Sequence, residues 1–349
     1  MNLNLVSRYR NAIMGIGILW IVFHHSGIDC QGLLFAIKRT GYAGVDIFLA
    51  LSGFGCAYSL SKNENASAFF MRRLNKLYPH YIPMLIAFLI IGWNSSNALT
   101  AFTDIFGNLT GFSFWAKVGR RFNWYIQAII LFYALTPLLY SIVKHHGISG
   151  LVLSVAVFFI CGLCFLKDDE LTIAVSRFPI YIVGLFCGYH GYKQTKTARN
   201  SLYTILIITL GIAGVFILYY IYYNKDSLPV YNVFYPCLLI TPAIVFMLCS
   251  VFGVIEKYRF GERIIAVLSL VGEYSLDIYL FHIVFFKYFG LLLEGKYESE
   301  LPHTASVINT VLWVLIIAIS VVLSIGYGKC VSKIESFFGK KEKSQRHIL

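Results

Sequence analysis

The 349-residue chain is 58% hydrophobic and 13% charged, with a mean hydropathy of +0.70. A soluble core cannot bury that much apolar surface, so the composition excludes a water-soluble domain and describes a polytopic membrane protein. The net charge of +12 would suit nucleic-acid binding only on a soluble basic face with stacking aromatics; none is visible, and no nucleic-acid partner is expected.

The first predicted span follows a basic flank at Arg8 and Arg10, runs apolar from Ala12 to Phe23 and closes on His24 and His25. It is long enough for a ~30 Å hydrocarbon core, and without a small-residue cleavage site after it, it reads as a retained span and not a signal peptide. Histidine inside a membrane helix is expensive to leave unpaired, so it marks a functional site with a partner to be found; the alternative is an interfacial histidine satisfied by headgroups or a backbone carbonyl. In all, ten spans are expected, near 12–28, 42–60, 78–93, 124–142, 149–166, 178–191, 202–222, 232–253, 264–286 and 305–328. The third is interrupted by Pro79 and Pro83 and the sixth is short, features tolerated where protein or water satisfies freed backbone groups. No internal repeat is evident, which weighs against a transporter of duplicated halves.

The expected architecture is therefore an all-α polytopic bundle of about ten transmembrane helices with no separate soluble domain. Residues 1–332 form the membrane domain and 333–349 a basic tail. With the N-terminus inside, nineteen of the twenty-nine Lys and Arg residues fall on inner segments, while the outer ten are balanced by nine acids. Both termini are thus expected in the cytoplasm. The eight cysteines lie mostly within spans and read as small packing residues. Cys161 and Cys164 form a CxxC without the further ligands and water access of a zinc or redox site, and no metal site is expected. Asn108-Leu-Thr110 matches a glycosylation sequon in a predicted outer loop.

Polar motifs punctuate this frame. Gly41-Tyr-Ala-Gly44-Val-Asp46-Ile-Phe-Leu-Ala-Leu-Ser52-Gly53-Phe54 places Asp46 and Ser52 in the second span, and Arg72-Arg73-Leu-Asn-Lys76-Leu-Tyr78-Pro79 follows it. Asn123-Trp124-Tyr125-Ile126 opens the fourth span, and the ninth holds Gly272, Ser275, Asp277, Tyr279 and His282. Together with the first-span histidine, these strings resemble the integral-membrane acyltransferase-3 family, which includes surface-polysaccharide O-acetylases, over nearly the whole chain. By that resemblance the family histidine is His25. The arginine usual eleven residues before it is replaced by Met14, with Arg10 one turn nearer the cytoplasm, and the third basic position after the arginine pair is Lys76. Asp277 has no family role to inherit.

The resemblance implies a bacterial cell (inner) membrane enzyme that moves an acyl group, most simply acetyl, from acetyl-CoA or another acyl-CoA to a hydroxyl of a carbohydrate acceptor, with membrane lipid around it. Such transfer needs a base for the hydroxyl proton, which a neutral histidine suits; His25 is the first candidate and His282 the second, with His24 and His80 behind them. Asp46 is either a carboxylate paired with a basic neighbour or the group that orients His25. Ser52 reads as a packing or backbone-bonding serine more than a nucleophile. Arg10 and His25 are fifteen residues apart, roughly 22 Å along a helix, so they would hold different parts of one long ligand. Arg72, Arg73 and Lys76 would join Arg10 in binding the CoA phosphates, where the plain alternative for an arginine pair is a topology anchor. A transporter or flippase for a glycan or lipid-linked intermediate, and an acyltransferase with a lipid or amino-acid acceptor, are the competing functions.

Overall fold

A computed structural model of the chain describes residues 3–91, 98–165, 168–193, 201–224, 228, 232–294 and 304–346. Among them there is no strand. In chain order the helices are α1 (Leu3–His25), α2 (Gly32–Arg39), α3 (Ala43–Lys62), α4 (Ala66–Ile91), α5 (Ala98–Thr110), α6 (Phe112–Ala116), α7 (Trp124–Cys164), α8 (Asp169–Val175), α9 (Phe178–Lys193), α10 (Ser201–Asn224), α11 (Tyr235–Ile255), α12 (Arg259–Glu273), α13 (Ser275–Glu294) and α14 (Thr304–Arg346). The outside of the bundle is apolar, with Ile205, Phe216, Val314 and Val322 exposed, the arrangement a bilayer requires and the inverse of a soluble fold. The protein is an all-α membrane bundle.

The expected count of about ten spans is not reproduced. Six segments among the described residues are long and apolar enough to cross a membrane: Ala43–Lys62, Trp124–Cys164, Glu170–Lys193, Thr204–Asn224, Tyr235–Ile255 and Asn309–Phe337. Counting α12 and α13 as one broken span makes seven. The shortfall has physical causes. Helices α1 and α4 carry their charges inside the helix, Arg8 and Arg10 in one and Arg72, Arg73 and Lys76 in the other. Two expected spans fall in α7, 41 residues long, which at 1.5 Å per residue would cover about 62 Å, twice a hydrocarbon core. The helix breaks at Gly147, where φ is 56° and ψ −126°, a backbone shape that glycine adopts at low cost. Helix α4 continues through both Pro79 and Pro83. The expected short sixth span is extended backward through α8 to Glu170.

Close helix contacts set the frame of the site. Gly15 of α1 meets the Leu268 carbonyl and Gly272 meets that of Asn11, so α1 and α12 touch backbone to backbone. Gly53, Gly184 and Gly188 do the same for α3 and α9, the small-residue packing common between membrane helices. After Tyr274 the chain bends by 66°, which separates Glu273 on α12 from the polar residues of α13. Ser275, Asp277, Tyr279 and His282 are all buried, placing α13 at the centre of the bundle.

Two expectations are corrected. Asn108 is fully buried and its amide donates to Asp104 O and Arg120 O, both at 2.6 Å, so the sequon is not an accessible glycan acceptor. Of the eight cysteines, Cys161, Cys164 and Cys330 are exposed on the outer surface and are not packed inside.

Candidate active site: a histidine pair at one end, a cationic cluster at the other

Histidines at opposite ends of the sequence meet in the bundle. His25, at the C-terminus of α1, places Nδ1 3.0 Å from Nε2 of His282 on α13, with the rings stacked at 5.2 Å. Partners assign the tautomers. His282 Nδ1 lies 2.8 Å from the Ile278 carbonyl, which only accepts, so His282 carries its proton on Nδ1 and its Nε2 accepts. His25 must then donate through Nδ1, which leaves its Nε2 with a free lone pair. His25 and His282 line one cavity of about 680 Å³ with Tyr279, Asn123, Trp124 and Arg121. His24, adjacent in sequence, points elsewhere: its Nδ1 donates to the Lys38 carbonyl at 2.8 Å, beside a Trp20 bond to Ile37 O at 2.7 Å. Together they tie down the C-terminus of α2.

Asp46 lies in the first turn of α3, where the helix dipole favours a carboxylate. Its partner is Arg177, with Nε 3.6 Å away and both side chains almost fully buried. The structure places no His25 contact on Asp46. Arg177 sits just before α9, donates to Tyr42 O at 3.3 Å and packs its guanidinium on the rings of Tyr42, Trp124 and Phe234. Sequence reasoning gave Arg177 no role, although a lone arginine inside the long apolar run that becomes α8 and α9 was a signal that a buried acid awaited it.

The basic candidates separate. Arg10 and Arg73 converge on Gly55: Arg73 Nη2 donates to its carbonyl at 3.1 Å, and a Cβ added there would meet Arg10 Nη2 at 3.4 Å. Arg73 also faces the Tyr133 ring, whose hydroxyl is 3.3 Å from Ser52 Oγ, so Ser52 is a hydrogen-bonding group of this cluster. Lys76 lies within electrostatic range of both arginines. Arg10 Nε is buried without a hydrogen-bond partner. Arg72 is exposed, as expected for a neighbour turned about 100° around the helix, and it does not share the cluster. Met14, where the resemblance expects an arginine, packs among apolar side chains.

Between these ends, His80 Nδ1 and Asp277 Oδ1 are hydrogen-bonded at 2.6 Å, with the Tyr327 hydroxyl donating to His80 O at 2.8 Å. This joins α4, α13 and α14 and gives Asp277 a partner that spacing did not indicate.

A helical membrane protein with a histidine-lined cavity is thus the class that fold and site define. The family model described as an acyltransferase domain, Acyl_transf_3, matches residues 10–328, which includes every residue placed above. The chain belongs to the acyltransferase-3 family and is a membrane acyltransferase. No curated protein and no solved structure matches it.

Proposed function

We propose that the protein is an O-acyltransferase that moves an acyl group, acetyl in the simplest case, from acyl-CoA to a hydroxyl of a carbohydrate acceptor. The observation that carries this reading is the lone pair left on His25 Nε2 by its bond to His282. A neutral imidazole held in one tautomer by a second residue is the arrangement of a general base for a hydroxyl. The hydroxyl proton goes to Nε2, and His282 Nε2 accepts from the imidazolium that forms. His282 is in this role a positioning residue.

Support for the donor comes from the opposite end. Arg10, Arg73 and Lys76 gather positive charge with no ion-pair partner among the described residues, and guanidinium groups bind phosphate oxygens well. Some 22 Å separates Arg10 from His25 along α1, the span of a ligand with phosphates at one end and a thioester at the other. The Arg10 end is read as cytoplasmic from the distribution of Lys and Arg, so the donor enters from the cytoplasm and the acceptor from the opposite side. The aromatic side chains Phe88, Phe122 and Trp124 and the polar groups beside His25 suit a sugar better than an acyl chain.

Purified protein given acetyl-CoA and a panel of glycan, lipid and amino-acid acceptors tests the reading. Free CoA thiol with acetylated glycan is expected. Acetylation of only a lipid or amino-acid acceptor would reassign the acceptor, and uptake of glycan without thioester loss would establish the transporter.

A further inference from the structure

Asn123 is the N-cap of α7, and its Oδ1 accepts from the backbone N–H groups of Tyr125 and Ile126 at 3.0 and 3.3 Å. This fixes which way the amide lies: the carbonyl faces the helix, and Nδ2 faces away from it. The residue is 3% exposed and Nδ2 is buried without an acceptor. Buried donors are almost always paired, and capping needs only the oxygen, a task aspartate or serine performs as well. Capping therefore leaves the orphan N–H donors unexplained. Asn123 is one of the residues that line the cavity of His25 and His282.

We infer that Asn123 is a further catalytic residue, the donor that stabilises the oxyanion formed on the thioester carbonyl. This rests on the acyltransferase reading. In the step, the acceptor hydroxyl oxygen bonds to the carbonyl carbon while its proton passes to His25 Nε2. The carbonyl oxygen takes the displaced electron pair and accepts from Asn123 Nδ2. Collapse re-forms the carbonyl, breaks the carbon–sulfur bond and expels CoA thiolate, which recovers the proton from His25. The cap already fixes the amide plane, so the donor needs no turning when the charge develops, which is where such groups act most strongly; the cavity has only to open onto Nδ2, which is closed off in the empty site.

Asn123→Ser and Asn123→Asp keep a capping oxygen and lose the Nδ2 donors; Asn123→Ala loses both. The three are compared with wild type in kcat, KM for acetyl-CoA and melting temperature in detergent. The serine and aspartate variants should melt near wild type, lose kcat by about 10²–10³-fold, the usual effect of removing one such donor, and change KM for acetyl-CoA little. Wild-type kcat in Asn123→Ser overturns the assignment, as does a loss of kcat that tracks melting temperature across the three variants. A wild-type protein that consumes no acyl-CoA with any acceptor overturns the acyltransferase reading itself, and the role of Asn123 falls with it.

Discussion

The two ends of the bundle treat charge in opposite ways. At the His25 end the cations lining the cavity have acids beside them, Arg120 with Asp104 at 2.7 Å and Arg121 with Glu170, and so do Arg177 with Asp46 and Lys117 with Asp168, while Lys38 donates to the Ile28 carbonyl. Near Arg10 the outward-facing cations Arg8 and Lys144 pair with Glu256 and Glu64, both at 2.6 Å, while Arg10 and Arg73 converge on Gly55 without an acid at ion-pair distance among the described residues, and the exposed Lys76 has Glu273 and Glu335 as well as both arginines within electrostatic range. Charge that is matched inside the protein holds the protein together. Charge left unmatched raises the energy of the empty state and is relieved by an anion. The His25 end therefore keeps its reactive groups neutral within a framework of closed pairs, and the Arg10 end keeps an open demand for negative charge.

The sharpest test of that division is at His25. His25→Gln retains hydrogen bonding and removes the proton acceptor, so kcat should fall by about 10²–10⁴ while KM for acyl-CoA stays near wild type. His282→Gln should fall less, since it positions the base, and His24→Gln least, since His24 anchors α2. Assays of the three variants at matched expression would break the comparison if His24→Gln were the most damaged.

Next in size is Arg177→Met, which leaves Asp46 buried and alone; breaking a buried pair in this way costs about 3–5 kcal/mol. Removing both charges together, in Arg177→Met with Asp46→Leu, should recover much of that loss. Unfolding in detergent measures both. A double variant no more stable than the single one would show that Arg177 serves something other than Asp46.

The sequence made some of this visible and concealed the rest for identifiable reasons. Helical class, the two arginine-bearing strings and His25 were legible because hydropathy and motif spacing are one-dimensional properties. The bond between His25 and His282 joins positions 257 apart, and Asp46 finds Arg177 across α3 and the turn before α9; no spacing rule reports such contacts. Periodicity separated the 124–142 and 149–166 segments, and the break at Gly147 inside α7 falls between them; it gave no such warning for α1 and α4, whose charges sit within the helix. The adjacent pair Arg72 and Arg73 looked like one unit, yet one residue of rotation on α4 turns only Arg73 inward. Asn123 was noticed as part of a string and not as a donor, since its orphan N–H exists only once the cap is formed.

At the opposite end the expected effect is on binding. Arg73→Gln and Arg10→Gln should each raise KM for acyl-CoA tenfold or more, because a charge-assisted contact is worth about 1.5–3 kcal/mol, with kcat changed far less. Arg72→Gln is the internal control and should behave as wild type. An equal rise in KM for Arg72→Gln would return the adjacent pair to a joint phosphate clamp, and no rise in any variant would leave the cluster without a ligand.

The smallest effect belongs to the closed pairs at the rim, outside the spans. Asp168 caps α8 by accepting from Leu171 N at 3.2 Å and pairs with Lys117. The hydrogen bond from Lys117 holds its carboxyl below the ordinary value of 3.8, with the α8 N–H groups adding to the shift. A carboxyl whose folded pKa lies below its unfolded one contributes stability in full above the unfolded value and loses it as pH falls through the folded one. The contribution is therefore complete at pH 7, begins to fall below about pH 4 and is gone only below the depressed folded value. Lys117 itself has φ of 55°, a left-handed conformation that asparagine tolerates, so Lys117→Asn removes the charge with little backbone strain. Because exposed pairs are worth about 0.2–1 kcal/mol, this variant should melt slightly below wild type at pH 7, converge with it toward pH 3 and keep wild-type kcat. A loss of kcat in Lys117→Asn would mean that the paired charges around His25 take part in turnover, and the contrast between the two ends would no longer hold.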